Sequence, residues 1–343
     1  MSEPFEIGVF TFGELTTDRL GSQTDPGRRL ADILQWAELA DAAGLDVFGL
    51  GEHHRSDFAI SAPAMVLAAA AARTARIRLT SAVTVLSSAD PVRVFEDFAT
   101  LDQLSGGRAE LTVGRGAYVE SFPLFGLELE RYDEYFDDRL DLLLAINADN
   151  PVTWSGTTRP ALSGLGVWPR PRQAQLPIWI GVGGTSPSVV RAGRLGLPVA
   201  FAILGNPAGF APLAQLYRAS AEAAGKAPHR IGVTSHLHLA ATSQAARQQF
   251  YPHYAAYFAQ NMPQRGRLDR ASFDAWAGPS GALFAGSPAE VTEKILAEHE
   301  LLGHSRFLAQ VGLGGLPQAA TVRSIELLAT EVLPAVRSAL ADS

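Results

Sequence analysis

The chain has 343 residues, of which 47% are hydrophobic and 18% charged, and its formal net charge is -7. That balance excludes a disordered or coiled-coil chain, and the acidic surplus argues against nucleic acid or an acidic membrane as the main partner. Cysteine is absent, so disulfides, thiolate metal sites and cysteine nucleophiles are ruled out. Met1-Ser2-Glu3-Pro4 runs into a strand-like segment without a basic and apolar leader, which reads as cytoplasmic. The longest apolar stretch, residues 62–72, is closed by Arg73 and falls short of the about 20 residues needed to cross a bilayer.

Along the chain one unit recurs: an amphipathic helix, a glycine able to take the left-handed C-terminal position, and a short apolar strand. Its clearest copies are Ala43-Gly44-Leu45-Asp46-Val47-Phe48, Leu195-Gly196-Leu197-Pro198-Val199-Ala200 and Leu302-Gly303-His304-Ser305-Arg306-Phe307. Each predicts a helix returning to a parallel strand. Filling the intervals predicts strands at 6–12, 47–51, 77–85, 108–114, 178–182, 199–203, 231–239 and 307–311. Helix starts are marked by Asp90-Pro91, Ser186-Pro187 and the capping box Ser287-Pro288-Ala289-Glu290. Eight strand-helix alternations without an antiparallel run predict an α/β protein, a (β/α)8 TIM barrel forming a single domain over residues 1–343. Two insertions interrupt it. The first, 151–176, holds Val152-Thr153-Trp154-Ser155-Gly156, which reads as a small hairpin. The second, 260–285, is a glycine- and proline-bearing loop with three arginines, Arg265, Arg267 and Arg270; its length suits a lid, and its charges suit either an anionic ligand or a solvated surface.

Barrel sites form at the C-terminal ends of strands. There this reading puts Glu52, His53 and His54 after strand two, Ser81, Ala82 and Val83 in strand three, Gly114, Arg115 and Gly116 after strand four, and Gly183-Gly184-Thr185-Ser186 after strand five. The last turn has two readings. Its glycines admit close approach and the helix start offers free N–H groups to a phosphate, or it is a tight strand-helix turn with Ser186 as cap. Arg115 likewise supplies either a bidentate phosphate contact or a surface ion pair. Glu52-His53-His54 has the residue types of a transition-metal site, yet adjacent residues leaving a strand point to opposite sides. One histidine as acid or base with the other structural is the simpler reading, and a structural role for both stays open. His236 and His238 share a face of strand seven, in a core or a functional setting. Phe12, Phe58, Phe122 and Phe201 suggest an apolar mouth, although core packing accounts for each equally well.

With these strings in order, the chain resembles the bacterial luciferase-like family of flavin-dependent monooxygenases over nearly its whole length. Gly8-Val9-Phe10, Gly51-Glu52-His53-His54, Ser81-Ala82-Val83-Thr84-Val85-Leu86, Asp90-Pro91-Val92-Arg93, Glu96-Asp97 and Leu101-Asp102-Gln103-Leu104-Ser105-Gly106-Gly107-Arg108 carry the resemblance, followed by Gly114-Arg115-Gly116, Phe125-Gly126 and Pro177-Ile178-Trp179-Ile180-Gly181-Val182-Gly183-Gly184-Thr185-Ser186-Pro187. The resemblance implies a barrel that binds reduced FMN in its mouth, usually as a homodimer, with the flavin reduced in place or supplied by a separate flavin reductase. It implies oxygenation of a small organic substrate by O2 through a flavin C4a-peroxide. His53 then matches the family's catalytic histidine, with Glu52 and His54 in support. Arg115, Gly116, Gly183, Gly184, Thr185 and Ser186 match the phosphate site, and Ser81, Ala82 and Val83 the region under the flavin ring, where a non-prolyl cis peptide falls at Ala82-Val83. No metal is implied.

The pattern departs from the light-emitting members, which have a cysteine where Gly114 stands and an arginine where Asp133 stands, so that phosphate contact is absent or falls to Arg131. Light emission is not implied. The alternatives are a deazaflavin-dependent hydride-transfer oxidoreductase of the same superfamily, a flavin-binding subunit without turnover, and a metal-dependent barrel hydrolase, which lacks the carboxylates or lysine at other strand ends to complete a metal cage.

Overall fold

The computed structural model describes residues 4–16, 24–116, 118–227 and 230–341. Eight parallel strands form the barrel: β1 (Glu6–Thr11), β2 (Val47–Leu50), β3 (Arg78–Ser81), β4 (Ala109–Gly114), β5 (Ile178–Val182), β6 (Val199–Ala202), β7 (Ile231–Leu239) and β8 (Arg306–Gln310). Each pairs with its neighbours in chain order, and Glu6↔Arg306 joins β1 to β8, so the sheet is closed. The helices are α1 (Pro26–Ala43), α2 (Pro63–Ala71), α3 (Pro91–Ser105), α4 (Tyr132–Ala148), α5 (Ser186–Leu195), α6 (Ala211–Ala223), α7 (Ser243–Asn261), α8 (Arg270–Ala277), α9 (Pro288–Leu302), α10 (Gln318–Leu327) and α11 (Leu333–Ala341), with a one-turn helix at Ser121–Leu124. The barrel is therefore the (β/α)8 architecture read from the alternation. No helix of the described residues is long and apolar enough to cross a membrane.

The recurring glycines work as expected. Gly44, Gly196 and Gly303 close α1, α5 and α9 with φ of 89°, 66° and 64°, a left-handed conformation that a Cβ disfavours. Side-chain caps open α1, α3 and α9 at Asp25, Asp90 and Ser287, each followed by proline. Strand residues then sort by period two. Ile7 and Val9 of β1 join one large apolar cluster with Ile33 and Trp36 of α1. Phe10 instead meets Val47 and Leu308 in a smaller cluster with Phe12 and Ala82 packed on it.

The N-terminal end of the barrel is floored by ions. Arg306, 2% exposed, donates to Glu6 Oε2 at 2.6 Å and to Glu110 Oε2 and Oε1 at 2.6 and 3.0 Å, and it lies 4.1 Å over the Trp179 ring. Arg78 and Arg230 also pair with Glu6, and Arg78 Nε lies 3.1 Å from Glu110. Burial opposes charge on Glu110, but Arg306 and then Arg78 outweigh it and hold the carboxyl below its usual range.

Three details differ from the sequence reading. The third strand is not continuous over 77–85: β3 stops at Ser81, Ala82–Val83 is a cis peptide, and a short strand Thr84–Val85 pairs back onto β4. Within this break Val83 turns across the barrel over two glycines. A Cβ on Gly114 or Gly181 would lie 2.8 or 2.7 Å from its methyl carbons. The hairpin is wider than 152–156, its strands being Val152–Trp154 and Leu162–Leu165. Its loop is pinned to α4, because Asp138 accepts from the Thr157 and Thr158 N–H groups at 2.9 Å each and Asp141 accepts from Trp154 Nε1 at 2.8 Å. Finally, 260–285 is mostly structured: it holds the end of α7, a 3-10 turn Pro263–Arg265, α8, and a strand Phe284–Gly286 that pairs with the C-terminal end of β7. Phe250, Tyr254 and Phe258, one face of α7 at four-residue spacing, pack there with Phe273 and Leu283.

Candidate active site

At the end of β2 the adjacent histidines diverge. His54 Nε2 is 2.8 Å from Glu52 Oε1, and Glu52 Oε2 accepts from the Val85 N–H at 3.0 Å, so the buried carboxylate ties the β2 exit to the strand across the break. His53 turns the other way into an aromatic cage. Its ring stacks on Phe12 (centroids 4.5 Å, 30°) and meets Phe58 at 4.4 Å and Tyr118 edge-on at 4.8 Å. Gly51 permits this, since a Cβ there would lie 2.0 Å from Phe12 Cδ1. Burial, then Arg55, lowers the His53 pKa to about 4, so the imidazole is neutral at pH 7. Arg55 is itself oriented by Asp57 and lies 4.6 Å over Tyr118. Among the described residues no group of three or more His, Asp or Glu converges as a metal cage.

Arg115 leaves β4 and bridges two helices. It donates through Nη2 to Thr185 Oγ1 at 3.1 Å, pairs through Nη1 with Asp133 of α4, and lies 4.9 Å over the Tyr132 ring. Thr185, rather than Ser186, is the cap residue of α5, but its hydroxyl is engaged with Ser188 Oγ at 2.9 Å and caps no N–H. The first N–H groups of α5 are thus left for an external acceptor, beside exposed Gly183, Gly184, Thr185 and Ser186. Around Gly183 no heavy atom would approach a Cβ within 4 Å, and Gly184 has φ of 108°. A phosphate fits this cradle by donor chemistry, with Asp133 as an internal competitor for the guanidinium. Arg131 is elsewhere, forked onto Glu134 at 2.8 and 3.0 Å and set over Tyr135. A phosphate contact in place of the missing arginine is therefore not what its geometry supports.

Of the remaining sequence candidates, Ser81 is fully buried and exchanges hydrogen bonds with the Thr112 backbone, so it contributes position rather than a free hydroxyl. Gly116, with φ of 88°, lies against Val85. His238 is held by Gln249 and Ser324 at 3.1 Å each, a structural setting. His236 is different: it lines a cavity of about 380 Å³ near the ends of β6 and β7. Tyr118, Tyr254, Gln310 and Glu14 were not singled out from sequence. Glu14 and Gln310 lie just beyond or at the ends of β1 and β8, and that placement was the available signal.

The luciferase-like monooxygenase family model matches residues 5–305, and the chain belongs to that family. Among curated relatives, an uncharacterised protein y4wF of Sinorhizobium fredii is 34% identical over 159 residues, covering 39% of this chain and 46% of the relative. The N-acetyl-S-alkylcysteine monooxygenase of Bacillus subtilis is 32% identical over 187 residues, covering 52% and 54%. The chain spans about half the length of these two relatives. The solved structure of monooxygenase RslO1 from Streptomyces bottropensis aligns with a TM-score of 0.84 at 27% identity over 96% of this chain and 99% of that one. The fold is also shared, at 20% identity and a TM-score of 0.79, with the FMN-bound oxygenating constituent of 3,6-diketocamphane monooxygenase from Pseudomonas putida, covering 97% and 99%. A coenzyme F420-dependent reductase from Methanopyrus kandleri shares it at 18% identity and 0.73, with the same coverage. At these identities the likeness to the last two structures is one of fold.

Proposed function

We propose that this protein is an FMN-dependent monooxygenase that uses reduced flavin and O2 to oxygenate a small organic substrate. The carrying observation is the cradle formed by Arg115, Thr185 and the uncapped start of α5, in the same barrel mouth as the caged, neutral His53. Bound there, reduced FMN supplies the activation of dioxygen. Arg115 and the residues 183–186 hold the phosphate, Ala82 and Val83 support the ring from the barrel lumen, and His53 takes or returns a proton at its imidazole. Glu52 and His54 fix the β2 exit that carries it. The activity of the Bacillus relative and the FMN-bound structure support this reading. A homodimer is part of this proposal. Flavin reduced in place or delivered by a separate reductase, and a single functional domain over the whole chain, complete it.

Arg115→Ala is expected to weaken FMN by about ten- to a hundredfold while leaving riboflavin nearly unchanged, since charge-assisted hydrogen bonds contribute roughly 1.5–3 kcal/mol. Asp133→Asn should move FMN the other way by freeing the guanidinium. Titration of each variant with both flavins is the check, and parental FMN affinity in Arg115→Ala removes the phosphate assignment. Mass and absorbance of a ligand released on denaturation distinguish FMN from a deazaflavin.

The segment 260–285 is proposed as a lid. It packs at the C-terminal end of the barrel, and the end of α7 reaches across the mouth, with Gln260 donating to Asp57 at 2.9 Å and Tyr118 to Asn261 at 3.2 Å. Limited proteolysis is expected to cut between Gln264 and Arg270 in free protein and to slow at least severalfold with saturating FMN. Unchanged cutting with FMN present would end the lid assignment.

A further inference from the structure

The cavity of about 380 Å³ is at the small end of ligand pockets, which run roughly 300–1,000 Å³. It adjoins the His53 cage, because Tyr257 meets His236 edge-on at 5.4 Å and borders the same small pocket as Phe58, which packs on His53. Leu204, Asn206 and Ser280 stand at its exposed rim, and His236, Tyr254 and Ala282 at its buried end. No Asp, Glu, Lys or Arg is among the described residues lining it. At the rim, Asn206 Oδ1 accepts from the Ala208 N–H at 3.0 Å, and water can reach both Asn206 and Ser280. A ligand at the buried end instead leaves water for apolar walls and the polar pair of His236 Nδ1 and Tyr254 Oη, 2.9 Å apart. Burial lowers the His236 pKa to about 4 and raises that of Tyr254, so neither carries charge at pH 7.

Half of the described lining residues belong to one stretch, 275–283, the later part of the 260–285 insertion. It is folded back on itself. Trp276 O accepts from the Leu283 N–H at 3.1 Å, Gly278 O accepts from the Gly281 N–H at 3.1 Å, and a Cβ on Gly281 would lie 2.0 Å from Trp276 O, an approach that requires glycine. Behind this stretch stands Lys294 of α9, a lysine only 5% exposed. Its Nζ donates to Leu283 O at 2.7 Å and to the carbonyl of Ala277, the last residue of α8, at 3.4 Å, and it lies 4.8 Å over the Phe284 ring. Arg247 reaches the same Ala277 carbonyl at 3.2 Å, so two cations hold a helix C-terminus. Of the carboxylates whose charge acts on Lys294, Glu290 is paired with Arg247 and Glu298 makes no hydrogen bond. A lysine buried in this way is costly to keep, and what its ammonium fixes is the cavity wall.

We propose that residues 275–283 are the specificity wall of a subsite for uncharged substrates, and that Lys294 is the positioning residue that sets this wall. Calling the occupant a substrate rests on the flavin monooxygenase reading. The wall and its anchor follow from the cavity itself: an ion at the buried end would be desolvated without a counter-charge, and a wall without the ammonium on its carbonyls is no longer fixed at one distance from the ligand.

Calorimetric titration of FMN-saturated protein at pH 7 with benzamide, 2-naphthamide, 2-naphthoate and 2-naphthylmethylammonium tests this. Wild type is expected to bind naphthamide about tenfold more tightly than benzamide, from the extra ring buried, and roughly tenfold or more above either ion. Lys294→Met, which keeps the apolar stem and removes the ammonium, should cut the naphthamide-to-benzamide ratio by about threefold or more while FMN affinity is kept. Lys294→Gln, which keeps N–H donors, should fall between the two and serves where the methionine variant does not fold. A smaller folded fraction lowers both amides alike, so the ratio reads the wall. Arg306→Met, which weakens the opposite end of the barrel, should leave it unchanged. Ala282→Leu should weaken naphthamide with FMN affinity kept. An unaltered ratio in both Lys294 variants, an equal fall in Arg306→Met, ions bound as tightly as naphthamide, or no binding of naphthamide overturns the proposal. Loss of FMN affinity in Ala282→Leu assigns the cavity to the flavin and overturns it as well. A wild type that fails to bind FMN yet has the same ratio and the same response to Lys294→Met sinks the flavin reading and leaves the wall standing.

Discussion

Replacing His53 with alanine is expected to cut product formation by roughly 10²- to 10⁴-fold, the usual range for general acid-base assistance, while fold and FMN affinity are retained. The imidazole sits in a cage of Phe12, Phe58 and Tyr118, where its removal leaves apolar walls rather than a stranded charge. Reducing equivalents should then emerge as hydrogen peroxide, so the ratio of product to peroxide with any substrate the wild type oxygenates is the measurement. A neutral base is available above its pKa. Because burial and Arg55 place His53 at about 4, the acidic limb of kcat/KM should lie near pH 4, well below the 6.5 of an unperturbed histidine. His54→Ala should behave differently, costing about 1–3 kcal/mol of stability by stripping a partner from buried Glu52, with little effect on the chemical step. Parental product formation in His53→Ala would refute the catalytic assignment.

The second large effect is expected at the barrel floor. Arg306→Met should destabilise the protein by roughly 3–5 kcal/mol, because it leaves two buried carboxylates, Glu6 and Glu110, short of their shared partner. For a chain of this size that corresponds to a melting temperature lower by roughly 4–7 °C at fixed scan rate. The pH dependence follows from Glu110. Its folded pKa is depressed, so its contribution is fully present above the unfolded value near 4.5 and is lost as pH falls through the folded value. The stability gap between wild type and Glu110→Gln should therefore be wide at pH 7 and narrow toward pH 3. A gap that is constant with pH, or a melting temperature unchanged in Arg306→Met, would show that Trp179 and the other arginines carry the floor without this pair.

Much of the architecture was set by local rules that a sequence displays. The glycine after each of α1, α5 and α9, the caps at Asp90 and Ser287, and the run of short apolar strands specify helix-to-strand returns, and eight such returns close a parallel barrel. Strand ends agree within one residue except at the third, where the ladder breaks so that Val83 can cross to Gly114 and Gly181, a contact between strands that no window of sequence contains. The candidate site divides the same way. Placing Glu52, His53, His54, Arg115 and the residues 183–186 at strand ends needed only topology. Sending His53 into an aromatic cage and His54 onto Glu52 needed Phe12 from just past β1, Tyr118 from beyond β4 and Val85 from the broken strand. The hydrogen bonds of Tyr254 with His236 and of Gln310 with Glu14 join four segments far apart in sequence. Local propensity and period belong to neighbouring residues and can be read in order. Hydrogen-bond direction, desolvation and ring packing arise between residues that only the closed barrel brings together.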